Sequence, residues 1–196
     1  MEYSLPALSF EFDALEPYLS SEAIALHYEK HHAGYVKNLN KALTDWGDAE
    51  KHRNLSEQIR LTQAIRFHGG GHINHSLFWE NLAPPSMGGE PTGAFRQALE
   101  DRFGDRFQDQ FIAKSVVVPG SGWSWLGYSK TDRSLHIATT LQHDLLVMNE
   151  LVPLLCVDLW EHAYYINYKN DRHNFLQAIF SIMNWKVVQK RWEEAQ

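Results

Sequence analysis

The chain has 196 residues, of which 44% are hydrophobic and 21% charged, and its formal net charge is −6. That length sustains one compact domain or two small ones with separate cores, and the composition is not that of a disordered chain. The acidic balance argues against a general nucleic-acid binder, which carries a basic face, and no apolar run approaches the roughly 20 residues needed to span a bilayer.

In chain order, the opening "MEYSLPALSF" is acidic and lacks an uninterrupted apolar core, so neither a secretion signal nor a transit peptide is expected in it. From Ser20 to about Trp46 the pattern is helical. Ser20 or Ser21 can cap, and Ile24, Leu26, His27, His31, Tyr35, Leu39 and Leu43 recur near the helical period. His32 falls off that stripe and is expected at the surface. "WGDAEKHR" predicts the turn of an antiparallel helical hairpin, whose second helix runs from about Asn54 to Leu82. "APPSMGGEPTG" (Ala83 to Gly93) concentrates proline and glycine and marks a boundary between domains 1–85 and 86–196.

Two short helical patterns follow, "AFRQALEDRFG" and "RFQDQFIAK". "SVVVPGSGWSWLGYS" and "RSLHIATT" are β-branched, aromatic and punctuated by turns, and "LVPLLCVD" reads as a short buried strand. Cys156 within it is the only cysteine, which excludes an intrachain disulfide, favours an intracellular protein and reads as a small buried hydrophobe. "WEHAYYINYKN" and "NFLQAIFSIMNWKVVQKRW" close the chain as helices. The expected fold is α+β: an N-terminal antiparallel helical hairpin, then a C-terminal mixed α/β domain with a small three-stranded antiparallel sheet.

Eleven histidines and seven tryptophans hold most of the chemical information. Asp158 and His162, four apart, can face one point, and a carboxylate with an imidazole is a common half-site for a transition metal. The same pair is also ordinary on a solvated helix. His27, His31 and Tyr35 fall on the inward face with Ile24 and Leu39. His68, His72, His75 and Trp79 form a second stripe, interrupted by Gly69, Gly70 and Gly71. Each helix-interior glycine costs up to about 1 kcal/mol relative to alanine, so three together point to close approach of another backbone or of a site. Spacing does not choose among these histidines. The set suggests a helical metal site with nitrogen and oxygen ligands and no thiolate, which suits iron or manganese, with zinc also open. Trp79, Trp123, Trp125 and Trp160 would form its dry shell.

"LHYEKHHAGYV", "GGGHINHSLFW", "GSGWSWLGY" and "DLWEHAYY" resemble, in order and over essentially the whole chain, the iron/manganese superoxide dismutases. The resemblance implies that His27, His75, Asp158 and His162 ligate one manganese ion per subunit, with iron as the alternative. Solvent would complete the coordination. It makes Tyr35 and His31 the gateway pair beside the substrate channel and Trp123, Trp160 and Trp79 an aromatic wall. Lys30 and Arg172 would form a positive rim, while His68 and His72 would be structural or stand just outside the ligands. Glu161 and Tyr165 would reach across a homodimer interface, to the partner subunit's His162 and the partner subunit's His31 respectively. The implied substrate is the superoxide anion, with no nucleic-acid or membrane partner. The hairpin tip "NLNKALTDWGDAEKHRN" would decide between homodimer and homotetramer.

One position departs from the manganese pattern, which places a glutamine against the solvent on the metal. Ungapped alignment puts His143 there, and a one-residue shift restores Gln142. The iron-type glutamine of the second helix is replaced by "GGG", which leans towards manganese. The motifs look closest to mitochondrial manganese enzymes, implying the mitochondrial matrix if a presequence has been removed and the cytoplasm otherwise. Two rival readings are a catalytically inactive dismutase-like structural subunit, which would have lost ligands, and a non-haem iron oxygenase, which needs only two histidines and a carboxylate.

Overall fold

The computed structural model describes residues 2–196. Ser20 is extended, and its Oγ accepts from the Ala23 N–H at 3.3 Å, satisfying one of the free donors at a helix start. Helix α1 (Ser21–Leu26) continues without a break into a π-helical turn, His27–His32, and then into α2 (Ala33–Lys51). The Ala33 N–H reaches back to the Tyr28 carbonyl, five residues earlier. Asn54 caps α3 (Leu55–Glu80) by accepting from the Glu57 N–H at 3.2 Å. The hairpin turn is shorter than the sequence suggested, because α2 runs through "WGDAEK". Gly47 is the only breaker there, Ala49, Glu50 and Lys51 are good helix formers, and Lys51 bonds Asp48 at 2.8 Å. Reversal is left to residues 52–54, with Arg53 at φ 52°.

The C-terminal half contains α4 (Gly93–Phe103), α5 (Phe107–Val116), β1 (Gly122–Ser129), β2 (Ser134–Leu141) and β3 (Leu151–Asp158). The sheet is three-stranded and antiparallel in the order β2-β1-β3, and β1 is buried along its whole length. Trp123 faces Asp158 across the β1–β3 ladder, and Trp125 faces Cys156. The α+β expectation holds, and β3 coincides with "LVPLLCVD".

Three boundaries differ from expectation. Ser115 and Val116 finish α5, so β1 starts only at Gly122. "WEHAYYINYKN" is a 3₁₀ turn (Glu161–Ala163) and a four-residue α6 (Tyr165–Tyr168), because Asp158 Oδ1 accepts from the Trp160 N–H at 2.9 Å and turns the chain before a helix can start. The last stretch splits into α7 (Arg172–Phe180) and α8 (Trp185–Ala195), since residues 182 and 184 pair instead with the end of α3: Ala83 N–H to Ile182 O at 2.9 Å and Asn184 N–H to Asn81 O at 2.7 Å.

Asn81 also ties α3 to β3. It is fully buried, accepts from the Cys156 N–H at 2.9 Å and donates to Leu154 O at 3.4 Å. Leu154 O retains Arg191 as a second donor, whereas the Cys156 amide has only Asn81. Asn81→Ala is therefore expected to cost about 1–3 kcal/mol, the usual consequence of an orphaned buried donor, as a lowered urea midpoint with unchanged slope. Cys156 is buried, and burial pushes its thiol up, so it behaves as a small hydrophobe.

Candidate metal centre

Four side chains from distant parts of the chain meet between hairpin and sheet. His27 opens the π turn, His75 lies in the last third of α3, Asp158 ends β3 and His162 sits in the 3₁₀ turn just beyond it. Their donor atoms all lie within 4.8 Å of one another. Asp158 Oδ2 is 3.2 Å from His27 Nε2, 3.4 Å from His75 Nε2 and 3.1 Å from His162 Nε2. Asp158 and His75 are fully buried, and His27 nearly so.

His75 tests whether these four residues fit a metal ion. Its Nδ1 lies 2.6 Å from the Gly71 carbonyl and donates the ring hydrogen there, so Nε2 keeps a lone pair. That nitrogen is buried without a partner and faces a carboxylate that can only accept. A cation satisfies both. Three imidazoles and one carboxylate, with no thiolate, form a set suited to manganese or iron.

Protonation favours the same answer. Burial, against the Asp158 hydrogen bond, lowers His27, and burial foremost, then the charge of His27, holds His75 well below the ordinary imidazole range. Burial alone would raise Asp158, but the charge and hydrogen bond of His162, with His27 and His75, hold it well below the usual carboxylate range. His27 and His75 thus tend to the neutral ring and Asp158 to the charged carboxylate, the state that receives a metal ion.

Around these four, His143 is buried and Gln142 is exposed at φ 52°. Trp123 Nε1 donates to His143 Nδ1 at 3.2 Å, which leaves the hydrogen of the neutral ring on Nε2, itself buried and without a partner. Burial pushes His143 down to about 4, with Asp158 working against it. The ring stacks on Trp160 at 4.4 Å and meets Tyr35 edge-on at 4.6 Å. The glycine run makes room for this. A Cβ at residue 70 would stand 2.0 Å from the His143 carbonyl oxygen, and one at residue 71 would stand 2.7 Å from the Tyr35 ring. Gly69 has only an ordinary neighbour, Leu39 Cδ1 at 3.5 Å.

His31 stacks on His162 at 3.9 Å, and burial, then His162 and His27, push it down to about 4. Burial raises the Tyr35 phenol. Trp79, Trp123 and Trp125 are buried, Trp160 is half-buried, and Lys30, Glu161 and Tyr165 are exposed. Arg172 is half-buried. Its guanidinium is committed to Val118 O and Gly120 O, both at 2.7 Å, and to Leu159 O at 3.2 Å.

His32 is the clearest correction: it is completely buried, not at the surface. Residues five apart lie about 140° apart around an ordinary helix, but an i→i+5 turn brings them onto one side, so His27 and His32 both face inward. Sequence reading also passed over Asn74, whose Nδ2 donates to His143 O at 3.3 Å, and Phe67, whose ring lies 4.9 Å from that of His143. Phe67 is four residues before Gly71 and eight before His75, a spacing that could have revealed it.

A helical hairpin and a small α/β unit closing over three imidazoles and one carboxylate define a non-haem metalloenzyme. Residues 2–83 match the alpha-hairpin domain of the iron/manganese superoxide dismutases, and residues 91–191 match their C-terminal domain. The chain belongs to the iron/manganese superoxide dismutase family. Its sequence is 45% identical to a superoxide dismutase [Mn] of Chlamydia trachomatis (serovar D) over 197 aligned residues, which cover 98% of this chain and 96% of that protein. Superoxide dismutation, an oxidoreductase reaction, is the activity this assigns.

Proposed function

We propose that the chain is a manganese-using superoxide dismutase in which His27, His75, Asp158 and His162 hold one metal ion per subunit, with iron as the alternative metal. The observation carrying this is the buried convergence of three imidazole Nε2 atoms on one carboxylate oxygen, one of those nitrogens being otherwise unpartnered. Manganese is supported by the name of the 45% identical relative. When bound, the ion supplies reversible one-electron chemistry, by which one superoxide is oxidised to dioxygen and a second, with two protons, is reduced to hydrogen peroxide.

The protein's own groups supply position and protons. His143, held by Trp123 as an Nε2–H donor, is available to a solvent molecule in the site, a role its neighbour Gln142 cannot fill from the surface. Tyr35 stays protonated and His31 neutral, so the approach they flank offers hydrogen bonds without competing charge. Trp123 and Trp160 keep bulk water away from the imidazoles.

Residues 1–85 and 86–196 act as two units that each give two ligands. Glu161 and Tyr165, exposed beside His162, bridge to the partner subunit's His162 and the partner subunit's His31 in a homodimer. The hairpin tip is the place for a second interface in a homotetramer. Among the described residues no helix is long and apolar enough to cross a membrane; the proposed site of action is the mitochondrial matrix if a presequence is removed and the cytoplasm otherwise.

Metal content of protein purified from its native source, together with a superoxide assay, tests the reading. Manganese near one per chain with dismutase activity is expected; metal-loaded protein without activity would favour the inactive structural subunit. Glu161→Ala should weaken the dimer, seen as a larger monomer fraction in sedimentation at micromolar protein, and unchanged assembly would contradict the bridging role.

A further inference from the structure

Behind His27 and His75 lies a row of side chains that the proposed reaction does not use: Trp79, His32 and His72. Trp79 Nε1, which can only donate, stands 3.0 Å from His32 Nδ1. That His32 nitrogen must carry the lone pair, so in the neutral ring the hydrogen sits on Nε2. His32 Nε2 is 2.9 Å from His72 Nδ1, so the hydrogen is donated there and the His72 hydrogen lies on its own Nε2. One fixed indole donor therefore sets the tautomers of two histidines in series.

The row also touches the site. The Trp79 ring lies 4.8 Å from the His27 ring at 68°, and the His32 ring stacks 5.3 Å from the His75 ring at 26°. His27 and His75 are themselves perpendicular, at 4.9 Å and 89°. We propose that His32 is a positioning residue of the metal centre, which by accepting from Trp79 and donating to His72 fixes the planes of the His27 and His75 rings. The inference rests on the ligand set proposed above. Packing alone would need only a ring-sized side chain, whereas positioning needs one acceptor and one donor on opposite sides of it.

Three variants of the full chain separate these: His32→Leu, without polar atoms; His32→Gln, with an acceptor and a donor on one amide; and Trp79→Phe, which keeps a ring but removes the N–H. The readouts are manganese affinity by chelator competition and the ring ¹⁵N tautomer signals of His72 in metal-free protein. His32→Leu and Trp79→Phe are each expected to weaken manganese binding about 10- to 100-fold, the usual range for losing a group that orients a ligand, with His32→Gln within about threefold of the starting protein. Trp79→Phe should also leave His72 in a mixture of tautomers. If His32→Leu does not fold, Trp79→Phe and His32→Gln carry the same comparison. Unchanged affinity and a single His72 tautomer in Trp79→Phe, or His32→Gln as weak as His32→Leu, would overturn the proposal. Asp158→Ala measured alongside separates the two readings: retention of metal there overturns the ligand set itself, and loss there with no effect at His32 and Trp79 overturns only the positioning role.

Discussion

Asp158→Ala is expected to abolish metal retention and dismutase activity together, leaving most of the helical circular dichroism in place. One oxygen, Asp158 Oδ2, is within 3.4 Å of the Nε2 atoms of His27, His75 and His162, so its removal takes away both a donor and the only negative charge in the cluster. The remaining imidazoles would share one buried pocket with a divalent or trivalent ion and no anion to offset it, a cost of several kcal/mol. The fold is anchored elsewhere, in a core that includes Trp123, Leu155 and Phe175. The local loss is the Asp158 acceptor for the Trp160 N–H, which loosens the turn into His162. Metal per chain by mass spectrometry, beside the far-ultraviolet spectrum, checks this; full metal content in a folded variant would refute the ligand set.

Gly70→Ala should show the second large effect, against the trend of helix propensity. Alanine within a helix is favoured over glycine by about 1 kcal/mol. At residue 70, however, the new Cβ meets the carbonyl oxygen of His143 at 2.0 Å and its carbonyl carbon at 3.0 Å, main-chain atoms with no rotamer of escape. Overpacking of this kind costs about 1–3 kcal/mol or more, so the net change is destabilising, and the displaced segment is the one carrying His143. Gly69→Ala, whose Cβ would meet only Leu39 Cδ1 at 3.5 Å, is the control and should be neutral or stabilising. Urea unfolding of both, with dismutase assays, makes the comparison; equal behaviour would mean that the close approach has no energetic weight.

The architecture was legible because its signals are local. Apolar periodicity gave both long helices, the turn-flanked β-branched runs gave the three strands, and the run of glycines announced a close approach before its object could be known. The four residues at the centre were not legible from spacing: Asp158 and His162 looked like an ordinary pair, and no periodicity relates them to His27 or His75. Only motif resemblance joined them, and the folded chain brings the four together. What stayed hidden depended on departures from regular geometry. A constant helical period puts His32 at the surface, whereas the backbone takes an extra residue per turn just there and buries it. The hold on the Arg172 guanidinium was equally hidden, because carbonyls presented by a distant loop leave no trace in the sequence.

The extra residue in the π turn has a mechanical consequence as well. It acts as a phase shifter on what is otherwise a single rod, rotating everything after it by about 100° relative to everything before it. The segment ahead of it addresses the main core through Ile24, while the segment behind it addresses a separate contact zone in the hairpin through Val36, Leu39 and Ala42. A straight α-helix of the same length could satisfy one of these neighbours but would turn its apolar edge away from the other.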